Sequence, residues 1–306
     1  MGRTSLIRVP GFFDARAFKD FLNEFLPAFR DSQKIVLDFS SCRFPDIDAL
    51  VLLQMYEDIS RAQGKNIEYS SPNMSEPHIL EKMLSLFKKD HGSDSSTFET
   101  FFAGKLHQIT RSMKTEEVRT TVNKLDKVIQ DQFAATRQVA MALSYCTGEI
   151  TDNSAVHGYE NYAHEDLQIP IYTAAWGLEN SVKIVIADRG VGIVKSLKKK
   201  KPYHRLSKSE ILRESLKKGV TGHPVFSPGF GLYGVSEIVR RSGGEMTIIS
   251  NGVRLEIRGG EVLTSSISSI AGTFISIEIK KNVPIPLEDI IGPASMDNME
   301  FLLDLQ

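Results

Sequence analysis

Cysteine is scarce in this chain. Only Cys42 and Cys146 occur among 306 residues, far apart and without a second cysteine or histidine at metal-ligand spacing. That excludes a disulfide framework and a structural zinc site. Long hydrophobic runs are missing too, since no apolar stretch approaches the roughly 20 residues needed to cross a bilayer. The N-terminal MGRTSLIRVPGFF lacks the apolar centre of a signal peptide, and Leu6 stands where a myristoylation signal wants Ser or Thr. Nor is there an excess of one charge: 37 Lys and Arg face 38 Asp and Glu, so no global field draws the chain to nucleic acid or to an anionic membrane. The expectation is a protein of the reducing cytoplasm, with no nucleic-acid or membrane partner, whose binding is local to a built site.

What is present fits about two globular domains, at 41% hydrophobic and 25% charged residues. The first 89 residues alternate strand and helix: TSLIRV, DARAFKDFLNEFLPAF, KIVLDFS, DIDALVLLQMYEDISRAQG, NIEYSS and SEPHILEKMLSLFKK. Such alternation predicts an α/β layer, with Asp14 capping the first helix, Gly64 ending the second and KIVLDFS forming a buried strand. HGSDSSTFET has the composition of a loop. The expected division is therefore a first domain over 1–89, a linker over 90–96, a second domain over 97–282 and a short acidic tail over 283–306. In the second domain the helical pattern from Thr115 to His157 is too long for one ordinary helix and predicts two. Strands follow at IPIYTAAWG, SVKIVIAD, GEMTIIS, VRLEIRG and GTFISIEIK, with turn signals at Asn251-Gly252 and Gly259-Gly260. A lysine-rich insertion with a short helix, SKSEILRESLKKG, interrupts them.

Four segments carry chemistry. In GEITDNSAVHGYE, Glu149 and Asn153 stand four apart and share a helical face. Magnesium takes hard oxygen ligands and only one or two of them from protein, which the Asn153 carbonyl would supply, while Glu149 would accept a proton from an attacking oxygen. In IVIADRGVGI an apolar strand runs into Asp188, Gly190 and Gly192. An aspartate there accepts a hydrogen bond from an exocyclic amine, and the glycines let a flat base approach the backbone. In SPGFGLYG, glycines open a helix whose N–H groups and dipole suit phosphate oxygens. In AGTFISI, the Thr273 hydroxyl is placed to support the aspartate and the base. Each segment alone also reads as an ordinary helix, turn or strand.

Together and in this order the four resemble the N, G1, G2 and G3 boxes of the GHKL ATPases, the superfamily of gyrase, heat-shock chaperones, histidine kinases and mismatch-repair proteins. The resemblance spans about residues 97–282. It implies a Bergerat-type α/β sandwich, with a mixed sheet on one side and helices on the other, that binds ATP and Mg2+. It also implies Asn153 on the metal, Glu149 as the base, Asp188 on the adenine amine with Gly190 and Gly192 beside it, Gly229, Gly231 and Leu232 at the phosphates, and Thr273 behind Asp188. The N box, Glu149 to Glu160, is similar to the E-x-x-x-N-A-x-x-H-G-Y-E of bacterial anti-sigma-factor serine kinases, with Ser154 in place of the usual Ala and Asp152 unusual beside a metal. The insertion at about 195–228 takes the place of that family's mobile lid, with Gly219 and Gly222 as hinges. Its Lys198 to Lys201 would reach phosphates or, as lysine runs ordinarily do, form a solvated face.

The first domain resembles the STAS family, the partner fold of those kinases. In phosphorylatable members the segment before the second helix reads like D-S-S-G-L, and here Asp46, Ile47, Asp48, Ala49 and Leu50 take its place. Asp48 thus occupies the acceptor position, as a mimic of phosphoserine or as a helix cap. The resemblance implies a regulatory protein partner of sigma-factor or STAS type and allows a homodimer. Three functions follow: a protein serine/threonine kinase or ATPase, a non-catalytic ATP-gated switch, and a sensor histidine kinase with His107 as phosphoacceptor.

Overall fold

The computed structural model describes residues 3–70, 99–101, 104–112, 115–133, 135–157, 170–221 and 230–292. The expected helix SEPHILEKMLSLFKK, the expected linker 90–96, Gly158 to Glu160, Gly222, Gly229 and the tail beyond 292 lie outside the described residues. The chain divides into two compact units, Met1–Ser95 and Ser96–Gln306. It is α/β, with a parallel sheet in the first unit and an antiparallel sheet in the second.

In the first unit β1 (Thr4–Arg8), β3 (Lys34–Asp38) and β5 (Asn66–Ser70) form a parallel sheet in that order, linked through α1 (Phe18–Asp31) and α2 (Ile47–Ala62). Two right-handed crossovers advancing in one direction put both helices on the same face. That explains a departure from expectation: β3 is buried only on alternate residues, with Ile35 and Leu37 inside and Lys34, Val36 and Asp38 half-exposed. On α1, Phe18, Phe21, Leu22, Phe25 and Phe29 recur at helical spacing and are all buried. Phe25 and Phe29 meet Tyr56 of α2 edge-on at 5.0 and 5.3 Å. A short parallel pair, β2 (Phe12–Phe13) with β4 (Phe44–Pro45), joins the loops that precede the two helices.

Two capping expectations are corrected here. Asp14 does not cap α1, which begins after Ala17 without a side-chain cap; its Oδ1 instead accepts from the Arg16 and Ala17 N–H groups in the turn before. Nor does Asp48 cap α2. That helix starts at Ile47, so the cap falls to Asp46, whose Oδ1 accepts from the Asp48 N–H at 3.3 Å. Asp48 is 2% exposed and its Oδ2 accepts from the Ala15 N–H at 3.2 Å. Its charge ties α2 to the loop before α1 and is not displayed to a partner. Asp48→Ala is therefore expected to cost about 1–3 kcal/mol of stability in urea unfolding, the cost of a buried N–H losing its acceptor.

The second unit is built on an eight-stranded sheet in the order β12-β11-β10-β13-β9-β8-β7-β6. The strands are β6 (Glu99–Phe101), β7 (Gly104–Ser112), β8 (Ile171–Gly177), β9 (Ser181–Asp188), β10 (Glu245–Ser250), β11 (Val253–Arg258), β12 (Glu261–Ser266) and β13 (Thr273–Lys280). Every pair among these described strands is antiparallel, so the sheet is not the mixed one expected. Tight hairpins such as Asn251-Gly252 and Gly259-Gly260 impose that direction. The long helical pattern resolves into α3 (Thr115–Gln132) and α4 (Arg137–His157). These pack on the sheet together with α7 (Gly231–Arg241), while α8 (Leu287–Ile291) lies against α7. Between β9 and α7 run α5 (Ile193–Lys198), a short 3-10 turn (Lys201–Tyr203) and α6 (Lys208–Glu214), the last opened by a capping box of Ser207 and Glu210. Among the described residues no helix is long and apolar enough to cross a membrane.

Candidate functional site

Strand alternation aims two polar residues at one helix. Along β9 the side chains of Val182, Ile184 and Ile186 enter the core under the helices, and the same face continues to Asp188. Along β13, Ile279, Ile277 and Ile275 lead likewise to Thr273, which pairs with Asp188 in the ladder. Asp188 therefore sits 4% exposed at the end of an apolar face. Its Oδ1 accepts from the Gly190 N–H at 2.7 Å and its Oδ2 from the Ser154 hydroxyl at 3.1 Å. The Thr273 N–H and hydroxyl add further hydrogen bonds. Burial outweighs these donors and pushes the carboxyl up to about 6.

The opposite wall is α4. Cys146, Thr147, Ile150, Thr151 and Ser154 lie on its buried side. The two threonines donate back along the helix, Thr147 to the Leu143 carbonyl at 2.8 Å and Thr151 to the Thr147 carbonyl at 2.7 Å. Tyr145, Glu149 and Asn153 form a stripe at four-residue spacing that meets the start of α7. A Cβ on Gly231 would fall 2.4 Å from Glu149 Oε2 and 3.2 Å from the Asn153 amide nitrogen, and one on Gly234 would fall 2.5 Å from the Tyr145 hydroxyl. Glycine at both positions is what lets the helices meet. Desolvation, reinforced by the charge of exposed Asp152, holds the Glu149 carboxyl above its ordinary range, against a hydrogen bond from Tyr145. Burial, with Glu149 adding to it, pushes the Tyr145 phenol well up, so the hydroxyl stays a donor at neutral pH. The thiol of Cys146 is raised by burial as well and is unreactive.

Between these walls the Asp188–Gly192 loop is fixed to a hairpin turn. Gly192 opens α5 at φ 85°, where a Cβ would meet the Asn251 side-chain oxygen at 2.4 Å. Asn251 donates its amide to the Val191 carbonyl at 2.9 Å and accepts from the Lys195 N–H at 3.0 Å. The Ser250 hydroxyl accepts from the Ile193 N–H at 2.9 Å. On the α7 side Phe230 provides no side-chain cap, and the first turn of the helix lies beside Glu149 and Asn153 at Gly231. Leu232 packs against the core behind them.

The structure thus brings Glu149, Asn153 and Gly231 together, and Asp188, Gly190 and Thr273 together; Ser154, next to Asn153 in the chain, links the two groups. Two contributors were not singled out by sequence. Ser154 registered only as a departure from alanine, which was the available signal, and Asn251 registered only as half of a turn. His107 lies on β7, opposite Ala175 of β8. The described part of the segment expected to form a lid is anchored in the core through Leu197, Ile211, Leu212 and Leu216, with Gly219 exposed at φ 83°. Among the described residues no cluster of three or more His, Cys, Asp or Glu side chains is arranged to hold a metal. No protein-family model matches this chain, and no curated protein matches it.

Proposed function

We propose that the second unit is a GHKL-type nucleotide site that binds ATP with magnesium, and that Glu149 acts as base in phosphoryl transfer to a serine or threonine of a protein partner, or to water. The observation that carries this reading is Asp188: an acid buried at the end of an apolar strand, beside a glycine loop and within one hydrogen bond of the helix that bears Glu149 and Asn153. Four donors already reach its carboxylate, about as many as its lone pairs accommodate. Two of them are the hydroxyls of Ser154 and Thr273, each of which can turn its hydrogen to another acceptor and yield its place on the carboxylate to a purine amine.

The residues present fit a magnesium ion of the kind that keeps most of its own ligands. Asn153 is half-buried beside Glu149, and a turn of its side-chain amide brings the neutral oxygen to the place where its nitrogen now faces Gly231. Magnesium there would neutralise phosphate charge. The chain's own groups do the rest: the first turn of α7 receives phosphate oxygens, and the raised carboxyl of Glu149 is a base closer to neutrality than a solvated one. The first unit, with its parallel sheet and one-sided helices, is read as a STAS-like regulatory or docking module, and a protein of sigma-factor or STAS type as the partner.

Asp188→Asn tests the base-recognition half. It is expected to weaken ATP binding by about tenfold or more, the effect of removing a charged acceptor, at a stability cost of about 1–3 kcal/mol because the amide NH2 faces donors that the carboxylate now accepts. Unchanged affinity by isothermal calorimetry would contradict the assignment of Asp188.

A further inference from the structure

At the β12 edge of the eight-stranded sheet we infer a docking site for an extended segment of a protein partner, which adds to β12 as a further strand and carries carboxylates on one side and apolar side chains on the other. No residue of β12 is assigned to ATP, so the site stands whether or not the chain binds nucleotide.

Hairpin geometry fixes which groups face outward. The two-residue turn Gly259-Gly260 closes on Arg258 and Glu261, a pair that exchanges both hydrogen bonds in a hairpin of this kind. Glu261, Leu263 and Ser265 therefore bond to β11, and the N–H and C=O groups of Val262, Thr264 and Ser266 point away from the sheet. Among the described residues β12 is the last strand on this side, and no hydrogen bond reaches those groups. Natural edges are guarded by proline, by bulges or by central charges. Here the register with β11 runs without a shift, proline is absent, and the one charge, Glu261, stands at the start of the strand. Leu263, in its middle, is 53% exposed.

The two sides of the edge set the chemistry of the guest. Val262 and Thr264 pair with Ile257 and Leu255 and so lie on the helix-covered face. There Arg213 of α6 donates to Thr264 Oγ1 from Nε at 3.4 Å and from Nη2 at 3.2 Å, which holds its guanidinium at the edge. Among the described residues no ion pair reaches Arg213. The acids of α6 are engaged elsewhere: Glu210 closes the capping box with Ser207, and Glu214 pairs with Lys217 at 2.6 Å. A carboxylate on the guest strand supplies the missing partner. On the opposite face Leu263 stands across from Glu256, whose carboxylate is taken by Arg254, so an apolar guest side chain is what covers it. A strand that alternates the two meets both sides at once. A second copy of this chain fits less well. Antiparallel pairing of β12 with itself through all its outward residues sets Thr264 against its own counterpart and brings two Arg213 guanidinium groups together with no carboxylate between them.

The test is fluorescence anisotropy of a labelled, end-capped peptide of alternating glutamate and valine titrated with the full chain, beside a second peptide with lysine in place of glutamate. Amide hydrogen exchange locates the site. The glutamate peptide is expected to bind saturably and to protect the amides of Val262, Thr264 and Ser266, and the lysine peptide to bind about tenfold or more weakly. Thr264→Pro removes an outward donor and blocks the guest while leaving the bonds to β11 in place; it is expected to weaken binding about tenfold or more. Arg213→Gln keeps the whole backbone edge and is expected to weaken the glutamate peptide by up to about fivefold, the range of an exposed ion pair. Its melting temperature should stay near the parent's, so the test is readable even where Thr264→Pro fails to fold. Equal affinity for the two peptides, affinity unchanged in Arg213→Gln, or protection confined to residues outside β12 overturns the inference. So does a dimer of the free chain in light scattering that Thr264→Pro dissociates, since it gives the edge to a second copy.

Discussion

Glu149→Ala is expected to lower ATP turnover by about 10²–10⁴-fold while nucleotide affinity changes by no more than a few-fold, the range found for loss of a general base. The separation arises because Glu149 lies on the α7 side of the site, against Gly231, whereas Asp188 is reached through Ser154 on the other side of α4. Glu149→Gln is the sharper variant, since it keeps the shape and the hydrogen bond from Tyr145 and removes only basicity. Released phosphate and labelled partner protein, measured with γ-labelled ATP, should fall together in both variants. Turnover undiminished in either would remove Glu149 from the chemistry. A parent chain that binds ATP but neither labels a partner nor releases phosphate would support the ATP-gated switch in place of the enzyme.

Gly272→Ala is expected to destabilise the second unit by about 3 kcal/mol or more, combining a left-handed conformation that disfavours a side chain with overpacking in a closed site. The residue sits at φ 79°, and its added Cβ would fall 2.0 Å from the Asp188 carbonyl oxygen, which is backbone and has no rotamer to escape into. The next residue, Thr273, is paired with Asp188, so relief requires parting β13 from β9 where the buried acid is held. The melting temperature should fall by roughly 6–12 °C for a unit of this size. A variant within about 0.5 kcal/mol of the parent, the range of an ordinary surface change, would mean that this junction is not built as described.

The parts of the fold legible in the sequence are those in which one periodicity dominates. The IVIAD run sets both the strand and the face on which Asp188 emerges, and the spacing of Glu149 and Asn153 sets a shared helical side before any neighbour is known. The division of the long helical pattern into α3 and α4 follows from length alone. The missed elements are those whose sequence is decided by position in the sheet. β12, with Glu261, Thr264 and Ser266, is a half-exposed polar edge, and β7 carries Lys105, His107 and Arg111. Neither shows the apolar run by which a strand is recognised. Direction is legible only where a turn signal joins neighbouring strands, as at Asn251-Gly252 and Gly259-Gly260; β13 pairs with β9 and β10, partners that no local turn assigns. Contacts between distant residues, such as Asp48 with Ala15, Ser154 with Asp188 and Asn251 with the Gly192 loop, leave no local trace beyond a polar residue at a buried position.

The most direct measurement is the affinity of the full chain for ATP at saturating magnesium across pH 5 to 7.5. In the free protein the Asp188 carboxyl is held at about 6, and a purine amine needs it ionised. Binding must therefore release a proton below that value, and affinity should rise by up to about tenfold per unit toward pH 6 and level off above it. Asp188→Asn should flatten the rise. Absence of binding heat at every pH, or a rise that persists unchanged in the variant, would contradict the proposal that this buried acid receives the base.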